Sequence, residues 1–441
     1  MAFFTVSELC AITDGTFFGD ERLLDQSPCT AGIDTRTLPK GGLYVPVRGD
    51  RFDGHDFIDA ALKGGALLTL SEIPVQAPHI LVKNTVFAYQ EIARAYRNRF
   101  PIPVVCITGS VGKTTTKEMV ASVLSQQFQT HKTQGNLNNQ TGVPTTVLSL
   151  DETHEVSVME LGTNHFGEIA AIARVTQPTV CLFTNIGEAH IEFFGSREGI
   201  LKGKTEMLLH KRENAAVIVN ADDDLLCTVS PAITYGLSET ADVRAVDIVK
   251  HGLFGVSFTA EFFGNRLSVT LQESGMHMVQ NALASIAVGV TLGVPLDRIK
   301  EGLEQFRPQK GRSDLLKTDR FTVIDGSYNA NPTSMQSALS VLAEADGRKV
   351  CIFGDMLELG EDAPSYHARI ASLAREANVS LLLCVGPLAR YAATCDNAIA
   401  FPDKEALHKA LPQLLQDGDT ILVKASQGMK LKETVSLLLS M

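Results

Sequence analysis

The stretch at residues 104–118, VVCITGSVGKTTTKE, constrains this chain more than any other. Its opening run of apolar and branched residues reads as a buried strand. A glycine-punctuated turn follows, and an amphipathic helix begins near Lys113. Strand, Gly-rich loop and helix start together form an anion cradle. Loop N–H groups and the helix N-terminus face a phosphate, Lys113 adds positive charge, and a Thr hydroxyl can bind Mg²⁺. The loop departs from the usual Walker A pattern, which places a glycine where Ile107 stands. A Gly-rich turn that binds nothing is the alternative. A Lys and three Thr in register behind an apolar run favour the cradle, with Gly109, Ser110, Gly112, Lys113, Thr114 and Thr115 as the candidate phosphate contacts.

The segments around this stretch set the fold class. Apolar strand candidates at 156–160, 180–185 and 216–220 alternate with helical patterns near 114–127, 167–175 and 197–210. Such alternation means a largely parallel, doubly wound sheet. Residues 254–271 alternate with period two, as an antiparallel hairpin does, and 277–292 reads as a small-residue helix. Upstream, residues 5–99 mix short helices and strands and end at the Pro-flanked linker 100–103. Downstream of about 309, apolar runs at 322–325, 349–354, 381–386 and 420–424 each precede a loop and a helix. That is Rossmann-like topology without the G-x-G-x-x-G fingerprint. The expectation is therefore an α/β chain of three domains. A small mixed α/β N-terminal domain spans 1–100, a central P-loop domain 101–308, and a C-terminal Rossmann-like domain 309–441. A nucleotide loop in the middle domain suggests catalysis in a cleft that domain closure completes.

Composition excludes some classes. The 441-residue chain carries a formal net charge of −11, which argues against a broad nucleic-acid footprint. No apolar run has the length to span a bilayer, and the N-terminal residues lack the basic and apolar regions of a secretion signal. Eight cysteines are scattered without a Cys-x-x-Cys pair. They read as reduced residues of a cytosolic protein rather than as disulfides or zinc ligands.

Several side chains can do chemistry. Glu160 ends an apolar strand before Leu161-Gly162-Thr163-Asn164-His165. At the carboxyl end of a strand in such a sheet, a carboxylate can hold the nucleotide's Mg²⁺ or simply cap a helix. His190, in Thr184-Asn185-Ile186-Gly187-Glu188-Ala189-His190, is a metal ligand or an ordinary loop histidine. Lys202 and Lys204 read as solvated surface lysines. The uncharged amide cluster at 135–144, GNLNNQTGVP, forms Asx turns or recognises sugar hydroxyls and amides. Asp325-Gly326-Ser327-Tyr328-Asn329-Ala330-Asn331-Pro332 and Gly354-Asp355-Met356-Leu357-Glu358-Leu359-Gly360 both follow strands and precede helices. Each is a wall of a third-domain site or only a turn with a helix cap.

Taken together, TGSVGKTTTKE, GNLNNQTGVP, ELGTNHFGEI, AHIEFFGS, SYNANPTSM and GDMLELG resemble, in order, the motifs of the Mur ligase family. The last two resemble those of the member that adds D-alanyl-D-alanine. The match covers all three domains. The resemblance implies an ATP-dependent ligase that joins D-alanyl-D-alanine to UDP-N-acetylmuramoyl-tripeptide through an acyl phosphate, in the cytoplasm, as a monomer with two Mg²⁺ ions. It implies that Lys113 and Thr114 hold the γ-phosphate and first ion, that Glu160 shares that ion, and that His190 holds the second. It makes Lys204 a carbamylated metal ligand, overturning the surface reading. Asn281 would contact adenine, Arg312 the phosphates and Asp325 the ribose. Thr35 and Arg36 would grip the UDP end, and Asn138 and Asn139 would face the muramoyl-peptide. Tyr328, Asn329, Asn331 and Asp355 would line the dipeptide site. Two positions depart from the family pattern: Met278 stands where an Asn is common, and Gly326 where a second Asp is. Both point to altered nucleotide affinity with activity retained. The base for the incoming amine is not named; Asp355 and His367 are both in the right domain. Rival readings are another amino-acid-adding ligase, a folylpolyglutamate synthase, a P-loop phosphotransferase or ATPase, and an inactive nucleotide-binding scaffold.

Overall fold

The computed structural model describes residues 2–49, 52–308, 311 and 314–441. Its strands form three sheets of five, nine and six strands. The first sheet contains β1 (Thr16–Phe18), β2 (Ala31–Gly32), β3 (Leu43–Tyr44), β4 (Leu68–Ser71) and β5 (His79–Leu81), in the order β1-β5-β4-β3-β2. Strands β2 to β5 run parallel, and β1 closes the edge antiparallel to β5. The helix Thr85–Arg97 follows, its start fixed by the Asn84 side chain accepting from Phe87 N–H.

The second sheet begins with β6 (Val104–Thr108), which is buried along its whole length as its composition predicts. It continues with β7 (Thr130–Lys132), β8 (Val156–Glu160), β9 (Val180–Phe183), β10 (Ala216–Asn220), β11 (Ile233–Gly236), β12 (Val243–Lys250), β13 (Val256–Phe262) and β14 (Asn265–Leu271). Pairs β7/β8, β10/β11 and β11/β12 are parallel. The period-two segment folds as expected: β12, β13 and β14 pair antiparallel, and β13 alternates buried and half-buried residues. The helix expected over 197–210 is α-helical only at Arg197–Thr205 and tightens to a 3₁₀ turn at Glu206–His210.

The third sheet contains β15 (Asp314–Lys317), β16 (Thr322–Gly326), β17 (Lys349–Gly354), β18 (Leu381–Val385), β19 (Ala398–Phe401) and β20 (Thr420–Lys424), in the order β15-β16-β20-β17-β18-β19. All pairs are parallel except β15/β16. Two apolar clusters pack on its two faces, so its inner strands are apolar throughout. The edge strands β15 and β19 escape a reading based on apolar runs because they are short and only half-buried.

By contact the chain falls into two compact units. One contains the residues through Cys106 with Phe128–Cys181 and Thr205–Ala215. The other contains Ile107–Gln127, Leu182–Lys204 and Ala216–Met441. Among the described residues no helix is long and apolar enough to cross a membrane, and all eight cysteines are free thiols.

Candidate active site

In the larger unit the glycine loop is built by its backbone. Gly109 has φ +150°, and a Cβ there would lie 1.9 Å from Thr184 Oγ1. Gly112 has φ +82° and starts the helix Lys113–Leu124. Both positions need glycine, one for space and one for the left-handed turn. The segment after β9 braces the loop. Ser110 N–H donates to the Asn185 carbonyl at 2.9 Å, and Val111 N–H donates to Asn185 Oδ1 at 3.0 Å. Thr184 Oγ1 donates to the Val111 carbonyl at 2.7 Å, and Gly187 N–H donates to Ser110 Oγ at 2.9 Å. Lys113 Nζ donates to the Gly109 carbonyl at 2.8 Å, which holds the ammonium across the mouth of the loop. Thr114 is buried beside it and Thr115 half-buried.

Lys204 is not a surface lysine. It is 1% exposed, and burial together with the charge of Lys113 pushes its ammonium well below the usual lysine range. Burial beside a second ammonium disfavours the charged form of this side chain. His190 sits in the left-handed region at φ 62° and opens the short helix Ile191–Phe194. Its Nδ1 is bonded to Glu358 of the GDMLELG segment, and His190 holds that carboxyl below its ordinary range. Asn281 is buried against the glycine loop. Its Oδ1 accepts from Thr116 Oγ1 at 3.0 Å, and its amide faces the Met278 sulfur at 3.9 Å. The structure thus gives Asn281 a bracing contact with the phosphate-loop helix, and Met278 supplies it a weak sulfur acceptor.

The third-sheet turns spend most of their polar groups on the fold. Asp355 is 3% exposed, and its Oδ1 accepts from Leu388 N–H at 2.9 Å and Ala389 N–H at 2.7 Å. His367 is fully buried. Its Nε2 accepts from Met356 N–H at 2.9 Å, and its Nδ1 meets the Ala363 carbonyl at 2.6 Å. His367, engaged at both ring nitrogens, has no lone pair for an incoming amine and drops out as the base, whereas the bonds to the Asp355 carboxylate fall on Oδ1. Asn331 caps the helix Pro332–Ala343 through a reciprocal bond with Ser334, and Asp325 Oδ1 accepts from Ser327 N–H. Tyr328 is half-buried, and Asn329 is exposed while its carbonyl accepts from Lys424 Nζ at 2.8 Å. Arg312 lies outside the described residues.

In the smaller unit Glu160 ends β8 with its side chain 2% exposed. Asn138 Nδ2 donates to Glu160 Oε1 at 2.8 Å, so the amide cluster orients this carboxylate. Asn139 behaves differently. Its Oδ1 accepts from Thr141 and Gly142 N–H, the Asx turn that the sequence offered as an alternative. Thr35 and Arg36 follow β2 at the carboxyl end of the parallel strands. Arg36 is exposed and pairs with Asp34, holding that carboxyl down at about 2. Among the described residues, no three His, Cys, Asp or Glu side chains gather as a ready-made metal site.

Comparison with known proteins gives three family models in chain order. They are the Mur ligase family catalytic domain at residues 30–106, the Mur ligase middle domain at 107–289, and the Mur ligase glutamate ligase domain at 311–427. The chain is 37% identical to the UDP-N-acetylmuramoyl-tripeptide–D-alanyl-D-alanine ligase of Escherichia coli over 98% of both chains. It belongs to the Mur ligase family. The ligase of the same name from Bacillus subtilis is 36% identical over 91% of each chain. Among solved structures, MurF from Acinetobacter baumannii matches with TM-score 0.93 and 32% identity, over 100% of this chain and 99% of that one. MurF from Thermotoga maritima, solved with ADP, matches with TM-score 0.86 and 29% identity over 93% and 97%.

Within this Mur ligase, sequence reasoning missed Thr184 and Asn185 as the braces of the glycine loop, and Glu358 and Glu188 as partners of the His190 segment. The signal for the first pair was present. A polar Thr-Asn at the end of an apolar strand has to bond something at a strand terminus. Glu358 lay inside a quoted motif but carried no role, because nothing local in the sequence connects it to a histidine 168 positions away.

Proposed function

We propose that this Mur ligase joins D-alanyl-D-alanine to UDP-N-acetylmuramoyl-tripeptide at the expense of ATP, completing the peptidoglycan pentapeptide precursor. The observation that carries this reading is the full-length match to ligases of that name, combined with a glycine-shaped loop that holds the Lys113 ammonium at its mouth. The tripeptide's terminal carboxylate oxygen attacks the γ-phosphorus, and ADP leaves. The dipeptide amine, having lost its proton, attacks the acyl carbon, and phosphate leaves with the carboxylate oxygen it took. Lys113 offsets the repulsion between an anionic nucleophile and an anionic phosphate. Gly109 to Thr115 orient the chain of phosphates, and Asn281 holds the helix they rest on. Thr35 and Arg36 hold the UDP end, and Asn138 orients Glu160 and borders the muramoyl-peptide. The turns at 325–332 and 354–360 form the dipeptide wall, with Tyr328 and Asn329 the groups it presents, while Asp355 ties the second turn to residues 388 and 389 and Asn331 caps the helix after the first. Asp325 faces the ribose.

Thr114, Glu160, His190 and carbamylated Lys204 are the residues that would hold two Mg²⁺ ions. The ions would supply charge neutralisation on the transferring phosphate. A carbamate carbon signal from ¹³C-bicarbonate, lost in Lys204→Arg, is the expected outcome; its absence from the wild-type protein would remove Lys204 from the ligand set. We assign three domains with boundaries near 100 and 309, a monomer, and the cytoplasm, where ATP, nucleotide-sugar precursors and reduced thiols coexist. The deciding assay measures phosphate release as each substrate is withheld, together with the mass of the product. Release requires both UDP-muramoyl-tripeptide and D-alanyl-D-alanine and accompanies a pentapeptide product. Release indifferent to the dipeptide would favour an ATPase instead.

A further inference from the structure

The segment at residues 184–195 joins the glycine loop to the third sheet. At one end Gly187 N–H bonds Ser110 Oγ of the glycine loop. At the other end three contacts seat it on the third-sheet body. Glu188 Oε2 accepts from Thr333 Oγ1 at 2.7 Å, next to the Asn331 helix cap. Ile191 packs against the apolar cluster built from β16, β17, β18, β20 and their helices. Between them Glu358 accepts a hydrogen bond from Nδ1 of His190. Both residues of that pair hold left-handed backbone conformations, His190 at φ 62° and Glu358 at φ 63°. Two non-glycine residues in that region at one contact mark a geometry that the surroundings impose.

We propose that Glu358 is a positioning residue for His190. By taking the Nδ1 hydrogen it fixes the imidazole as the tautomer whose lone pair is on Nε2, and it fixes the ring plane. A carboxylate behind a histidine is the arrangement that raises ligand basicity and sets ring orientation at metal sites. The partner here belongs to a different sheet from the histidine. Seating of the third-sheet body, through Ile191, Thr333 and Glu358, therefore prepares the histidine for its ion. The dipeptide-binding part of the chain and the second metal become linked through one hydrogen bond. This inference rests on the reading of His190 as a ligand of the second Mg²⁺.

The test uses full-length protein labelled with ¹⁵N-histidine, first without metal. Two-bond nitrogen–proton correlations report which nitrogen of His190 carries hydrogen. Wild type shows hydrogen on Nδ1. Glu358→Ala moves it to Nε2, the tautomer an unpartnered imidazole favours in water, and Glu358→Gln, which keeps an accepting oxygen, restores Nδ1. Mn²⁺ binding is then followed by electron paramagnetic resonance with β,γ-methylene ATP bound. Wild type takes two ions, and Glu358→Ala weakens one of them about 10- to 100-fold. Glu358 is 43% exposed, so its truncation spares the core, and a wild-type unfolding curve for the variant checks this. Weakening of one ion by His190→Ala but not by Glu358→Ala would overturn the positioning role alone. Two ions bound at full affinity by His190→Ala would overturn the metal reading of His190, and this inference with it.

Discussion

The glycine loop at 109–112 and the turns after β16 and β17 occupy equivalent places, each following a buried parallel strand. They use their residues in opposite ways. The loop builds its shape from backbone, through two glycines and bonds from Thr184 and Asn185, and so keeps Lys113 and Thr114 in place for a ligand. The turns build theirs from side chains. Asp355 bonds two N–H groups, Asn331 caps a helix, and His367 is tied at both ring nitrogens. A loop shaped by glycine takes its turn without a side-chain cap, whereas an Asx-capped turn spends a polar side chain on its own backbone.

The largest effect should come from spoiling the backbone-built loop. In Gly109→Ala the added methyl falls on Thr184 Oγ1, so either the loop or the β9 end must shift. We expect kcat/KM for ATP to fall about a thousandfold, the range seen when preorganised donors are displaced. Steady-state kinetics check this, and near-normal turnover would show that the loop's shape is not what matters. Next is Asp355→Ala, which strands two buried N–H groups. It should cost about 3 kcal/mol in urea unfolding while leaving KM for D-alanyl-D-alanine near the wild-type value. Unchanged stability with a tenfold rise in that KM would make Asp355 a substrate ligand and erase the contrast.

His131 sharpens the same contrast in the smaller unit. It is buried between Ser157 and Ser149, and burial, with His154 nearby, lowers its pKa from about 6.5 to about 4. As the pH falls the unfolded chain takes up this proton before the folded one does. The stabilisation is therefore complete above pH 6.5 and drains away between 6.5 and 4, by up to about 3 kcal/mol. Unfolding followed across that window should show the slope, and His131→Gln should flatten it. An equal slope in the variant would assign the acid sensitivity to other groups.

Fold class was legible because strong apolar runs separated by helical patterns leave few architectures open. The weak edge strands β15 and β19 were not, since half-buried strands carry little apolar signal. The glycine loop was legible in detail because its chemistry is local in sequence. Lys204 was not, since its burial and its opposition to Lys113 come from tertiary packing. Only the family resemblance turned that reading around. Asn138 was read as part of a recognition loop, and its bond to Glu160 spans 22 residues and leaves no local trace. Asn139, beside it, closes an Asx turn, which the amide-rich composition equally allowed.

Carboxylate attack at the γ-phosphorus is the central step, and isotope transfer tests it directly. UDP-N-acetylmuramoyl-tripeptide carrying ¹⁸O in its terminal carboxylate is turned over with ATP and D-alanyl-D-alanine, and the nucleotide and phosphate products are analysed by mass. The predicted result is ADP without label and inorganic phosphate bearing one ¹⁸O per pentapeptide formed. Label in AMP, or phosphate free of ¹⁸O, would contradict it.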